Sequence, residues 1–208
     1  MTAALHPYLG DFRTTGELRK DVETFFLERD CEHTYLHVTA VATKVVELAK
    51  RYGGDLEKAE TAALLHDIST VVPNEERIAL AEALGIDLLP EEERFPMIIH
   101  QKLSVPIARE AFGVSDAEIL SAIGCHTTLK AAATLTDKLV FVADKIAWDQ
   151  SGTPPYWNEL TEGLEHSLDA GALAYLDYLW SVRDELRVLH PWVVEAREEL
   201  TRRAPRIL

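Results

Sequence analysis

A chain of 208 residues, 47% of them hydrophobic, is long enough for one sizeable core and short enough for a single domain. Its formal charge of −14, from 35 acidic against 21 basic residues, disfavours a nucleic-acid polymer as partner, because phosphate-backbone affinity draws on clustered Lys and Arg. No apolar stretch approaches the roughly 18 to 20 residues of a membrane span, which argues against a membrane partner.

The first residues, Met1-Thr2-Ala3-Ala4-Leu5-His6-Pro7, lack a basic n-region and a long apolar segment, so no secretory signal is expected there. Cys31 and Cys125 form neither a CxxC nor a disulfide framework. Reduced thiols in the cytoplasm are the reading.

In chain order, the pattern is helix after helix. Val38, Val41, Val45, Leu48 and Ala49 recur at helical spacing, and Gly53-Gly54 stops that helix. Asp55 can cap the next, which carries Ala59, Ala62, Ala63, Leu64 and Leu65 up to His66-Asp67. Pro73 fits a first helical turn, and Gly85 closes the segment containing Leu80 and Leu84. Val105, Ile107, Ala108 and Phe112 follow, stopped by Gly113. Ser115-Asp116-Ala117-Glu118 reads as a capping box, Ser115 and Glu118 each satisfying a free amide. Ile119, Ala122 and Ile123 lead to Cys125-His126, and a helix is predicted from Leu135 to Trp148. Gly152-Thr153-Pro154-Pro155 is a loop, and Trp157 to Arg203 reads as two or three amphipathic helices with Pro191 as a start signal. The predicted fold is all-α, a helical bundle in one domain over residues 1–208, with a core at about 30–150 and C-terminal helices at 157–203 packed on it.

The polar residues inside this apolar pattern carry the chemistry. His66-Asp67 stands directly after an apolar helical run, with His37 upstream and His100, His126 and Asp144 downstream. Any of these histidines taken alone reads as a structural or surface residue. The order His…His-Asp…His…His…Asp reads as the ligand set of a two-metal phosphohydrolase. Imidazole and carboxylate together suit first-row transition metals, and two cations can clamp an in-line attack on phosphorus. Asp144 follows Leu139-Val140-Phe141-Val142-Ala143, where an unpaired carboxylate would be costly to bury and a metal would remove that cost. His6, His166 and His190 read as surface or cap residues, and Glu91-Glu92-Glu93 as a solvated face. Cys125 reads as a buried neutral thiol rather than a soft ligand. Trp148, Tyr156 and Trp157 read as packing residues rather than a base-stacking platform.

The segments Glu32 to Val38, Ala59 to Asp67, Pro73-Asn74-Glu75-Glu76, the surroundings of His100, Ala122 to Thr128 and Lys138 to Ile146 carry a resemblance. They resemble the HD-domain superfamily of metal-dependent phosphohydrolases and, within it, the YqeK family of symmetrical diadenosine tetraphosphate hydrolases. The resemblance implies that His37, His66, Asp67 and Asp144 hold one metal. It implies that His100 and His126 help hold a second, with Asp67 bridging and with Asp67, His66 and His126 in the catalytic group. It further implies bound iron as a di-iron centre, other divalent transition metals being possible. It implies a homodimer, and cleavage of diadenosine tetraphosphate into two ADP.

The substrate shell departs from the family pattern. After Asp144 the run is Lys145-Ile146-Ala147-Trp148-Asp149-Gln150, where the family tends to have a tyrosine and then Ile-Glu-Pro-x-Arg. After His126 comes Thr127-Thr128-Leu129-Lys130 in place of a Gly-Arg element. Lys130 offers a point charge without the bidentate fork of arginine. With Thr127, Lys145 and His33 it makes up the candidate substrate-binding set. Two alternatives stand beside this reading. One is a different HD hydrolase, a nucleoside monophosphate phosphatase or a guanosine tetra/pentaphosphate hydrolase. The other is a non-enzymatic nucleotide or metal sensor.

Overall fold

Apolar residues at three- and four-residue spacing dictate helices throughout, and no strand occurs among the described residues, 2–148 and 150–203, of this computed structural model. Within those residues the α-helices are α1 (His6–Leu9), α2 (Leu18–Leu27), α3 (Glu32–Tyr52), α4 (Leu56–Leu65), α5 (Arg77–Ala83) and α6 (Pro90–Arg94). They continue with α7 (His100–Phe112), α8 (Ala117–Cys125), α9 (Leu135–Ile146), α10 (Trp157–His166), α11 (Leu168–Ser181) and α12 (Pro191–Arg203). None of them is long and apolar enough to cross a membrane. The all-α architecture expected from the sequence is the one that forms.

α3 is the spine. Its buried stripe of Val38, Val41, Ala42, Val45, Leu48 and Ala49 packs on α4 and α9. A stripe at that spacing lies on one side of a 3.6-residue helix, so burying it leaves Lys44 and Glu47 free to pair in solvent. α4 also packs on α8, and α8 on both α7 and α9. These five helices surround the polar cluster. α10 and α11 form a closely packed pair, and α11 rests on α9 and α12.

Capping fixes where the helices begin, and therefore where their ends deliver side chains. The Asp55 carboxylate accepts the amides of Glu57 and Lys58, as expected. At α8 the expected Ser115–Glu118 box does not form. Asp116 is the cap, accepting from Glu118 and Ile119 amides. A carboxylate one residue later reaches the same free amides and also meets the Lys58 ammonium at 2.9 Å, which the Ser115 hydroxyl could not do as an anion. α9 starts with a capping box of Thr134 and Asp137. It ends at Ile146, two residues before the predicted Trp148, because the chain leaves helical geometry at Ala147. Trp148 turns instead toward Tyr156, ring centroids 6.1 Å apart. Three helices occupy the stretch 157–203, where two or three were expected.

Candidate metal centre

Helix ends build the site. His66 is the C-cap residue of α4, His126 that of α8, and His100 opens α7 directly after a 3-10 turn, Pro96–Ile99. His37 comes from the second turn of α3, and Asp144 from the last turns of α9. Three of the imidazoles repeat one local device. The Nδ1 of His66 bonds the Ala63 carbonyl at 2.6 Å, that of His100 the Met97 carbonyl at 2.5 Å, and that of His126 the Ile123 carbonyl at 2.8 Å. A carbonyl only accepts, so each ring presents an Nδ1 proton to it and turns Nε2 inward as the atom free to take a cation. Carbonyls left over at a helix end thereby set the tautomer that a metal needs.

Asp67 joins two groups. Its Oδ2 lies 3.6 Å from His66 Nε2, and its Oδ1 lies 3.3 Å from both His100 Nε2 and His126 Nε2. The His100 and His126 Nε2 atoms face each other at 3.0 Å. Asp144 Oδ1 sits 3.0 Å from His37 Nε2 and 3.6 Å from His66 Nε2. Within the cluster, ligand atoms of His37, His66 and Asp67 lie within 4.8 Å of one another, and so do those of Asp67, His100 and His126. All six sequence candidates for metal binding therefore converge.

The cluster fits divalent cations. His66 Nε2 and Asp67 Oδ1 are buried and make no hydrogen bond, the 3.3 Å approaches to Asp67 lacking hydrogen-bond alignment. Inward lone pairs beside two carboxylates repel one another unless positive charge lies between them. Burial opposes charge on His126, and despite Asp67 its pKa falls to about 4, so the ring is a neutral donor at neutral pH. Burial would likewise depress His66, but Asp67 and Asp144 outweigh it and raise its pKa. Burial would also raise Asp67, but His66, His100 and His126 hold its carboxyl well below the usual range. His37, Asp67, His100 and Asp144 keep 11–17% of their side-chain surface exposed, whereas His66 and His126 keep 2% or less. The centre thus has a closed floor and an open mouth.

The candidate substrate residues divide. Thr127 stands at the centre, its hydroxyl 3.0 Å from His100 Nε2. His33 is exposed one helical turn before His37, on the same side of α3. Lys145 is buried, and its ammonium bonds Asp144 Oδ2 at 2.5 Å and approaches the His126 carbonyl at 3.4 Å. Burial disfavours that charge, yet Asp144 raises its pKa. Lys145 is therefore placed to hold Asp144 rather than to reach a substrate. Lys130 bonds the Ser121 hydroxyl at 2.7 Å and lines a cavity of about 520 Å³ along α7 and α8 that none of the six convergent residues lines. The structure does not bring it to the centre. Cys125 is buried with its pKa raised, by burial first and then by Asp137.

Sequence reasoning passed over the residues that brace the cluster. Gln101 accepts the Thr127 amide at 3.1 Å and donates to the Thr128 hydroxyl at 3.1 Å, tying the start of α7 to the turn after α8. Ser69 donates to the His100 carbonyl at 2.7 Å, tying the Asp67 turn to α7. Arg77 is buried and donates to the Met97 carbonyl at 2.9 Å. Their one signal is position, next to His100, two residues after Asp67, and at the start of a helix.

The comparisons with known proteins agree with this geometry. A family model described as HD domain matches residues 34–149. The chain is 49% identical over 143 residues to an uncharacterized protein in the pepC 5' region of Lactococcus lactis subsp. cremoris, covering 69% of this chain and 72% of that protein. It is 37% identical over 117 residues to the symmetrical bis(5'-nucleosyl)-tetraphosphatase of Bacillus subtilis, covering 55% of this chain and 61% of that one. The chain spans about three fifths of the length of the curated tetraphosphatases it matches. A crystal structure from Clostridium acetobutylicum, described as a predicted HD superfamily hydrolase involved in NAD metabolism, superposes with a TM-score of 0.80. It is 28% identical, with 88% of this chain and 97% of that chain covered.

Proposed function

The chain belongs to the HD domain family, and we propose that it is a metal-dependent phosphohydrolase that cleaves diadenosine tetraphosphate symmetrically into two ADP. The observation that carries the reaction class is Asp67, whose two oxygens face two separate histidine groups. Similarity to the symmetrical tetraphosphatases supports the substrate.

His37, His66, Asp67 and Asp144 would hold one ion, and Asp67, His100 and His126 the second. Ions bound there would make water acidic enough to ionise near neutral pH and would neutralise charge on phosphate oxygens. Asp67 would set the spacing of the two halves, because one carboxylate presents an oxygen to each histidine group. Lys145 engages Asp144 Oδ2 and leaves Oδ1 to face His37 and His66. His126 stays neutral and keeps its lone pair available. The Thr127 hydroxyl, beside His100, can donate to a phosphate oxygen, and His33 is exposed one helical turn before His37. Of the lysines expected to meet substrate, one holds Asp144 and the other Ser121, so neutralising the polyphosphate would fall to cations held by the cluster.

Iron, as a di-iron centre, is the resident metal in this reading on the strength of the family resemblance; the imidazole and carboxylate donors suit it as they suit other divalent transition metals. The family resemblance supports a homodimer. Two free cysteines support a cytoplasmic location. We also take the chain as one domain, supported by a core cluster that runs from Leu5 to Leu200.

Product analysis tests the reaction. The protein is incubated anaerobically with diadenosine tetraphosphate and ferrous iron or manganese, and nucleotides are separated by ion exchange. ADP as sole product is expected. AMP with ATP would mean asymmetric cleavage. Turnover of a mononucleotide or of guanosine tetraphosphate, with none of any dinucleoside polyphosphate, would give the site to another HD hydrolase. No turnover of any nucleotide, with metal bound, would make the chain a sensor.

A further inference from the structure

We propose that Arg77 is a positioning residue for the second metal half: it holds the Met97 carbonyl that orients His100. The inference rests on the two-ion reading above.

The three inward imidazoles depend on three carbonyls, and those carbonyls are not equally supported. Ala63 lies in α4 and Ile123 in α8, helices of 10 and 9 residues. Met97 lies in a 3-10 turn of 4 residues, Pro96–Ile99, whose hydrogen-bond geometry is intrinsically poorer. Met97 is 46% exposed, so its own burial does not pin the turn. Arg77 supplies the missing support. Its guanidinium is buried, 7% of the residue remaining exposed, and spans two carbonyls, Nη1 to Met97 at 2.9 Å and Nε to Val72 at 3.3 Å.

Arg77 and His100 thus share one acceptor. A carbonyl has two lone pairs and can serve both donors, the arginine at 2.9 Å and the imidazole Nδ1 at 2.5 Å. With that oxygen fixed, the ring is fixed, and His100 Nε2 is aimed at Asp67 Oδ1, His126 Nε2 and the Thr127 hydroxyl. Burying an arginine whose side chain donates to two carbonyls, with the Asp67 charge offsetting only part of the desolvation, is costly for packing alone. Its cost is accounted for if the position of one carbonyl matters. His66 and His126 need no such brace, so the positional effect of Arg77 falls on the His100 half, whereas its charge acts through Asp67 on both halves alike.

The test counts ions rather than turnover. Manganese(II) is titrated into full-length protein and free ion is read by electron paramagnetic resonance, for wild type, Arg77→Met, Arg77→Gln, His100→Ala and the Arg77→Met/His100→Ala pair. Wild type is expected to bind two ions. Arg77→Met should weaken one site relative to the other by about 10- to 100-fold, the range for lost outer-shell partners. In the His100→Ala background it should add nothing further. Arg77→Gln, whose shorter stem cannot span both carbonyls, should show the same selective loss and serves if the Met variant does not fold. Wild-type affinities in the Arg77 variants, equal weakening of both sites, or an undiminished effect without His100 would overturn the proposal while leaving the two-ion reading intact. A wild-type protein that binds fewer than two ions would overturn that reading, and this inference with it.

Discussion

Among the described residues Asp67 is the one shared by the two candidate metal-binding groups, and its substitution should differ in kind from that of any histidine. Asp67→Ala is expected to abolish hydrolysis and to lower the affinity of both ions. His100→Ala should weaken the second ion and leave the fold and the first ion standing. Metal content after gel filtration, beside turnover at saturating metal, separates the two patterns; near wild-type turnover of Asp67→Ala would refute the bridge. Cys125 makes the opposite case. Its thiol is buried and held protonated, and it faces Asp137 rather than the cluster, so it should resist a thiol-specific reagent in the native protein. Cys125→Ala should keep both ions. Loss of either ion in that variant would make the sulfur a ligand. The cluster itself was legible in the sequence because six residues of fitting chemistry occur in one order, and they converge in the fold. Lys145 was not, because adjacency to Asp144 does not say whether a long side chain turns inward to the carboxylate or outward to solvent.

At the scale of helices, Glu92 shows where composition misleads. Glu91-Glu92-Glu93 read as a solvated face, yet Glu92 is fully buried among Lys102 at 2.7 Å, the Leu89 amide at 2.8 Å and His190 at 3.3 Å. The cluster clamps α6 to α7 and to the start of α12, where His190 is a buried cap rather than a surface residue. Three consecutive acids carry no periodicity, so nothing in the sequence marks the middle one as inward. Burial alone would raise the Glu92 pKa, but His190, Lys102 and the Leu89 amide lower it from the ordinary 4.5. A depressed carboxyl stabilises the fold above the unfolded value and loses that contribution as pH falls through the folded one. Glu92→Gln should therefore cost about 3 kcal/mol at pH 7, as expected for breaking a buried pair. The gap between variant and wild type should narrow below pH 4.5. Urea unfolding at several pH values measures it, and a pH-independent gap would assign the loss to packing. Close approach is a second helix-scale device. A Cβ on Gly163 would lie 2.7 Å from the Ala170 carbonyl oxygen, so α10 and α11 meet through glycine. Gly163→Ala should destabilise by about 1 to 3 kcal/mol through overpacking, and an unchanged unfolding midpoint would show that the pair can spread at no cost.

Over the whole molecule, five helices converge their polar residues on one centre while the rest of the chain supplies the frame. Their periodicity and stops were readable from the residues alone, as was the end-of-helix placement of His66 and His126. What sequence could not give was the bracing, since Gln101, Ser69 and Arg77 act through contacts made only once α5, α7 and α8 have packed. That arrangement buries carboxylates and lone pairs together in a chain already carrying a net charge of −14. Cations should therefore be part of its stability. An ion present at about 100 times its dissociation constant adds about 2.7 kcal/mol to the folded state. For a chain of this size each kcal/mol is worth roughly 2–4 °C in melting temperature. Protein stripped by chelator should thus melt roughly 5–10 °C lower than protein reloaded with one ferrous or manganous ion at that ratio, with a further rise as the second site fills. The gain should be largely lost in Asp67→Ala and only halved in His100→Ala, because the first ion keeps His37, His66, Asp67 and Asp144. Differential scanning calorimetry with elemental analysis of the same samples measures both quantities. No retained metal in unstripped wild-type protein, together with no rise in melting temperature on adding iron or manganese, would remove the metal centre and every mechanism built on it.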